Sequence, residues 1–214
     1  MTVGWTVVVP VRSTSTGKSR IEVPAAVRRS LATAMAADTL TAVAATPGVI
    51  RTVVMGETEQ DRDLFGELTG ITAWTGTEHG LNPAIEEARD RVVVEFGPVR
   101  LAVLPGDLPG LDPAELGRAL STAATLDRGV LADADGVGTT LLTALRAPEL
   151  RPAFGGASFH RHRAGGAADL NANGTLGDGV RRDIDRLVDL VAALHGGGLG
   201  TRTAREVARI LAPG

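Results

Sequence analysis

The sequence predicts an α/β protein, a mostly parallel sheet with helices on both faces. Three observations lead there. Apolar, β-rich runs recur at 5–11, 49–56, 71–75, 99–105 and 129–133. Helical patterns at 24–45, 59–68, 83–95 and 113–126 separate them, the alternation expected of strand–helix–strand crossovers. The runs VVVP and VRLAVLPG are continuously apolar, as strands buried on both faces require.

The first run leads into VVVPVRSTSTGKSR, whose Gly17-Lys18-Ser19 raises the question of a phosphate-binding P-loop. That loop needs a glycine five positions before Gly17, where Arg12 stands, and a helix directly after the lysine. Here the next helix signal is Pro24, suited to a first helical turn. The stretch therefore reads as a strand and then an open basic loop with Arg12, Lys18 and Arg20. The helices expected from Pro24, Pro83 and Pro113 all open with proline. In open parallel sheets ligands bind outside the carboxyl ends of the strands, so the residues just after each run are the ones to inspect.

After the fourth run comes LPGDLPGLDP, where Asp107 follows a Pro-Gly turn. A strand-end carboxylate beside a cationic loop suits a metal–nucleotide site, because Mg²⁺ combines one or two carboxylates with phosphate oxygens and water. Asp also organises turns, and both readings stay open. From 136 to 179 the chain is rich in glycine and reads as loops and short elements covering one end of the sheet, the usual place for a substrate subsite. GVGTT and FGGAS offer backbone N–H groups and the hydroxyls of Thr139, Thr140 and Ser158 to an anion. SFHRHR alternates His160 and His162 with arginines. RRDIDRLVDLVAALHGGG is expected to form a short strand and an amphipathic helix, with Asp183 and Asp185 on one side of that strand, or Asp185 as a helix cap. Asn82 either caps the third helix or turns its amide toward a base or ribose. A last helix over 201–211 is expected to cap the domain or to help form a homodimer.

Bulk properties narrow the partner. The 214 residues fit one domain, 1–214. A net charge of −3 is too balanced for general nucleic-acid or acidic-membrane binding, and aromatics at 3% argue against stacking platforms for single strands. With no cysteine, a metal must be held by oxygen or imidazole. The opening residues lack a basic leader and no apolar stretch is long enough to span a membrane, so a cytoplasmic protein with a small ligand is expected.

The order VPVRSTSTGKSR, GLNPAI, GDLP, ADADGVGTTLL, FGGASFHRH and RRDIDRLVDL resembles the phosphoenolpyruvate/2-phospho-L-lactate guanylyltransferases of coenzyme F-420 biosynthesis, relatives of the molybdenum-cofactor nucleotidyltransferases. The resemblance runs over nearly the whole chain, and GVGTT with FGGAS and the following His is its most specific part. It implies a Rossmann-like, nucleotide-diphospho-sugar transferase-like fold in which the Gly-rich region binds substrate. It also implies transfer of GMP from GTP to phosphoenolpyruvate or 2-phospho-L-lactate, releasing pyrophosphate, with Mg²⁺ as cofactor. Asp107 and Asp183 would hold the metal, with Asp185 in support. Thr139, Gly155 and Ser158, joined by His160, would bind the three-carbon acid. Lys18 and Arg12 would meet the nucleotide phosphates, with Gly106 beside them and Asn82 near the guanosine. Arg12 stands where the family usually has Lys, which keeps the charge and alters the hydrogen-bond geometry. Two rivals stay open on the sequence: another nucleotidyltransferase of this fold, acting on a molybdopterin or sugar phosphate, and a non-catalytic nucleotide-binding protein.

Overall fold

The structure is a computed structural model and describes residues 4–11, 23–184, 186–195 and 197–212. Strands β1 (Trp5–Val11), β2 (Val49–Gly56), β3 (Ile71–Thr75), β4 (Arg100–Val103), β5 (Arg128–Ala132), β6 (Thr139–Ala144) and β7 (Ala168–Asp169) form one sheet in the order β3-β2-β1-β4-β6-β5-β7. All neighbours pair in parallel except β6, which is antiparallel to both β4 and β5. Every residue of β1 is buried, as the apolar run predicts for a strand covered on both faces.

Helices α1 (Ala25–Ala44), α2 (Glu59–Gly66) and α4 (Pro113–Ala123) cover one face. There Val7, Val9 and Val54 meet Leu40, Phe65, Leu116 and Leu120 in one buried cluster. Helix α3 (Leu81–Phe96) and the short α5 (Ser158–Ala164) cover the other, where Val8, Val53, Leu101 and Leu142 pack with Ile85, Val92 and Phe159. A third cluster lies outside α1: Leu31 and Met35 bury against Leu190 of α6 (Leu187–His195) and Val207 of α7 (Thr201–Leu211). The last helix thus caps the domain.

The structure departs from the sequence reading in three places. Residues 139–144, expected to be loop or short elements, form a fully buried central strand. The connection from β5 is only six residues long, too short for the crossover a parallel partner needs, so β6 must return antiparallel. Asp133 closes that turn, its carboxylate accepting from Val137 N at 2.8 Å and Gly138 N at 2.7 Å. The short strand expected around Asp183 is absent among the described residues: a 3-10 turn at Asp178–Val180 leads into irregular backbone, and Asp185 lies outside the described set. Helix α3 also starts earlier than expected, at Leu81, with Gly80 as its cap and Pro83 still in the first turn. Asn82 is therefore inside the helix and does not cap it.

Helix α7 has no capping side chain of its own. Buried Asp38 of α1 supplies one, accepting from Thr203 N at 2.7 Å and from Arg202 N at 3.3 Å. Gly200 is required beside it, since a Cβ there would lie 2.5 Å from the Asp38 Cβ. Asp38→Ala should lower stability by about 1–2 kcal/mol in urea unfolding and speed amide exchange in α7 more than in β1. Equal exchange changes in both would contradict this capping role.

Candidate active site

The loop after β4 is anchored on every side. Leu104 N–H donates to Val8 O at 3.1 Å, extending the ladder past the strand. Leu108 N–H then donates to Thr39 Oγ1 at 3.2 Å, and the Thr39 hydroxyl donates to Met35 O, so α1 sets where the loop turns. Gly200 N–H holds Pro109 O at 2.7 Å. Gly106 packs tightly against the end of β1, where a Cβ would stand 3.2 Å from Val11. Asp107 sits half-buried in the middle of this frame. Its carbonyl accepts from Ile184 N–H at 3.2 Å, which brings the backbone next to half-buried Asp183 against this loop.

A second group of side chains gathers at the start of β6. Thr139 and Ser158 are buried, with their hydroxyl oxygens 3.0 Å apart. Thr139 Oγ1 also lies 3.0 Å from Nδ1 of buried His162, whose Nε2 accepts from Ala153 N–H at 2.8 Å. Gly155, at φ 120°, makes the turn that brings Ser158 here, a conformation closed to residues with a Cβ. Ala157 enters α5 at φ 54°, a left-handed conformation that is uncommon for a residue with a Cβ. Arg161 braces the turn through hydrogen bonds to the carbonyls of Ala153 and Gly156.

The sequence reading named His160 of α5 for the three-carbon acid, and the structure distinguishes the two histidines of this helix. His160 is exposed and rests edge-on against Phe159, whereas His162, two residues on, is the one built into the hydroxyl network. The spacing carried a usable signal: Ser158 and His162 are four apart, hence on the same helix face. Thr140, next to Thr139 where the pairing with β5 shifts register, has a buried hydroxyl with no hydrogen-bond partner among the described residues. Asn82 spends its amide on the backbone of one residue: Phe154 N–H donates to Oδ1 at 2.7 Å and Nδ2 donates to Phe154 O at 3.1 Å. It ties α3 to the Gly155 turn. Between the ends of β1, β2 and β3 a crevice opens, bordered by Val11, Gly56, Glu57, Gly76, Glu78 and Leu81. Arg12 and Lys18 lie outside the described residues.

The family model for CofC-like guanylyl transferases matches residues 5–205. The chain belongs to this guanylyl transferase family. A phosphoenolpyruvate guanylyltransferase of Streptomyces scabiei is 44% identical over 98% of this chain and 99% of its own length. Among solved structures, a putative nucleotide-diphospho-sugar transferase from Desulfovibrio desulfuricans superposes with a TM-score of 0.64 at 15% identity, covering 96% of this chain and 93% of the other. A manganese complex of Rv0371c from Mycobacterium tuberculosis superposes at 0.54 and 17% identity, over 79% and 88% of the two chains. Both share the fold.

The guanylyl transferase fold thus places Asp107 and the Thr139–Ser158 pair at one end of the sheet, where β4 ends and β6 begins. Among the described residues no three His, Asp or Glu side chains form a ready-made metal cluster. The Asp107–Asp183 neighbourhood suits a divalent ion that takes its remaining oxygens from nucleotide phosphates and water.

Burial, helped by the positive charge of Arg161, pushes His162 down to about 4 from its ordinary 6.5. The unfolded chain takes a proton on this ring below pH 6.5, while the folded protein takes it only near pH 4. The stability present above pH 6.5 is therefore lost as pH falls through that window, by up to roughly 3 kcal/mol. Relative to a His162→Gln variant, wild-type unfolding free energy should fall by that amount between pH 6.5 and 4. A pH-independent difference would contradict a neutral buried ring.

Proposed function

We propose that the chain transfers GMP from GTP to phosphoenolpyruvate, as a step of coenzyme F-420 biosynthesis in the cytoplasm, within a single domain spanning 1–214. The observation that carries this reading is the placement of the Asp107 loop and the Thr139–Ser158 pair at the same end of the sheet, in a chain of the guanylyl transferase family. The acceptor in the name of the Streptomyces scabiei relative, phosphoenolpyruvate, supports the choice of acid.

In this reading a phosphate oxygen of the acid attacks the α-phosphorus of GTP. The new P–O bond forms as the bond to the bridging oxygen breaks, and the electron pair leaves with pyrophosphate. No side-chain nucleophile is needed, because the acceptor phosphate is already an anion. Two unit charges about 4 Å apart repel by roughly 4 kcal/mol at an effective dielectric of 20, so the protein's task is to hold two anions in line. Thr139, Ser158 and the Gly155 turn hold the acid. The crevice at the ends of β1 to β3 takes the guanosine, and Asn82 contributes by fixing the Gly155 turn rather than by touching the base. Asp107 and Asp183, with Asp185, are the residues that would hold Mg²⁺; when bound it neutralises phosphate oxygens and the growing charge on pyrophosphate. Lys18 and Arg12 add positive charge on the strength of their sequence positions.

Pyrophosphate release with GTP and Mg²⁺ should require phosphoenolpyruvate and be far slower with ATP. Release with 2-phospho-L-lactate instead would replace the acceptor, and no acceptor-dependent release would overturn the reading. Asp107→Ala should lower kcat at least about a hundredfold, roughly 2.7 kcal/mol of barrier. Activity within a few-fold of wild type would remove Asp107 from the metal role.

A further inference from the structure

Thr139 Oγ1 stands between His162 Nδ1 and Ser158 Oγ, each 3.0 Å away. A hydroxyl has one hydrogen and two lone pairs, so these contacts admit more than one arrangement of protons. The choice is made on the far side of the imidazole, where Ala153 N–H approaches Nε2 at 2.8 Å. A backbone N–H can only donate. Nε2 therefore holds a lone pair, and the hydrogen of the neutral ring sits on Nδ1 and donates to Thr139 Oγ1.

Two hydroxyl hydrogens remain in the Thr139–Ser158 pair. One joins the two oxygens, and the other has no acceptor within the triad, so a ligand oxygen can take it. In the opposite tautomer Thr139 would donate to Nδ1 and accept from Ser158. Both hydrogens would then be consumed, and the pair would show an incoming ligand only lone pairs. The first arrangement binds an anion and the second repels it. All three residues are at least nine-tenths buried, so water does not scramble the pattern. The Phe154 ring stands edge-on to the imidazole at 5.1 Å, and the Asn82 clamp on the Phe154 peptide holds the adjoining Ala153 N–H in place.

We infer that His162 is a positioning residue for the acceptor: fixed as the Nδ1–H tautomer by Ala153 N–H, it makes the Thr139–Ser158 pair present one hydroxyl hydrogen to an anionic oxygen of the three-carbon acid. This rests on the reading above that the pair binds that acid. His162 touches neither substrate nor metal in this role. It sets the polarity of the groups that do the binding.

Two measurements test it. Two-bond ¹⁵N correlation spectra of the histidine-labelled wild-type protein should show His162 protonated on Nδ1; a ring protonated on Nε2 overturns the inference, whatever the variants do. His162→Asn keeps an amide branch where Nδ1 stood, whereas His162→Gln keeps one only near Nε2. The KM for phosphoenolpyruvate should rise roughly ten- to hundredfold in the Gln variant and stay within about threefold of wild type in the Asn variant. The KM for GTP should not change in either. Equal rises in both variants would mark a merely structural ring, and no rise in either would remove the role. Thr139→Val and Ser158→Ala separate the role of His162 from the placement of the acid. If they raise the acceptor KM and the His162 variants do not, this inference alone fails; if they leave it unchanged, the placement of the acid fails with it.

Discussion

The site depends on one pairing, the antiparallel contact of β6 with β4. Because the strands run in opposite directions, the start of β6 lies at the end of the sheet where β4 stops, with Val103 opposite Leu142 fixing the register. A parallel strand in this place would send its first residue to the far end. Thr139 would then lie a full strand length from the Asp107 loop. Short connection, Asp133-closed turn and reversed strand together bring a hydroxyl pair and a carboxylate to the same edge. The rest of the molecule serves to keep those two places still.

That rigidity has a physical purpose for a reaction between two anions. Attraction between reactants cannot align them, so alignment must come from groups fixed before binding. The Asp107 loop is held by β1, α1 and the segment before α7 through backbone bonds and the Thr39 hydroxyl. The side proposed for the acceptor is held by an unbroken chain from Asn82 through Phe154 to Ala153, His162 and Thr139. Helix α3, which packs under the crevice proposed for guanosine, is thereby connected to the pocket proposed for the acid.

Much of the fold was legible because the first half obeys simple periodicities. Val7, Val8 and Val9 read as a two-sided buried strand and are one, and Pro113 opens α4 as expected. The reading lost ground where glycine dominates. Flanking glycines made TTLLTA look like loop, although its continuous apolar and β-branched character and the short connection from β5 were sufficient to place an antiparallel strand. The position of Asp107 just past β4 was legible because the apolar run before it marks the strand. The His162 network was not, since its decisive contact is a backbone N–H of Ala153, nine residues earlier, and composition says nothing about where a peptide points. Asn82 illustrates the same limit: its type suggested a cap or a base contact, and its partner is a peptide 72 residues away.

The most direct test of the account is a crystal structure with Mg²⁺, phosphoenolpyruvate and a GTP analogue that cannot release pyrophosphate. The acid should lie on Thr139 and Ser158, the metal between Asp107 and the nucleotide phosphates, and an acceptor phosphate oxygen in line with the α-phosphorus. The acid bound away from β6, with Asp107 remote from the phosphates, would contradict it.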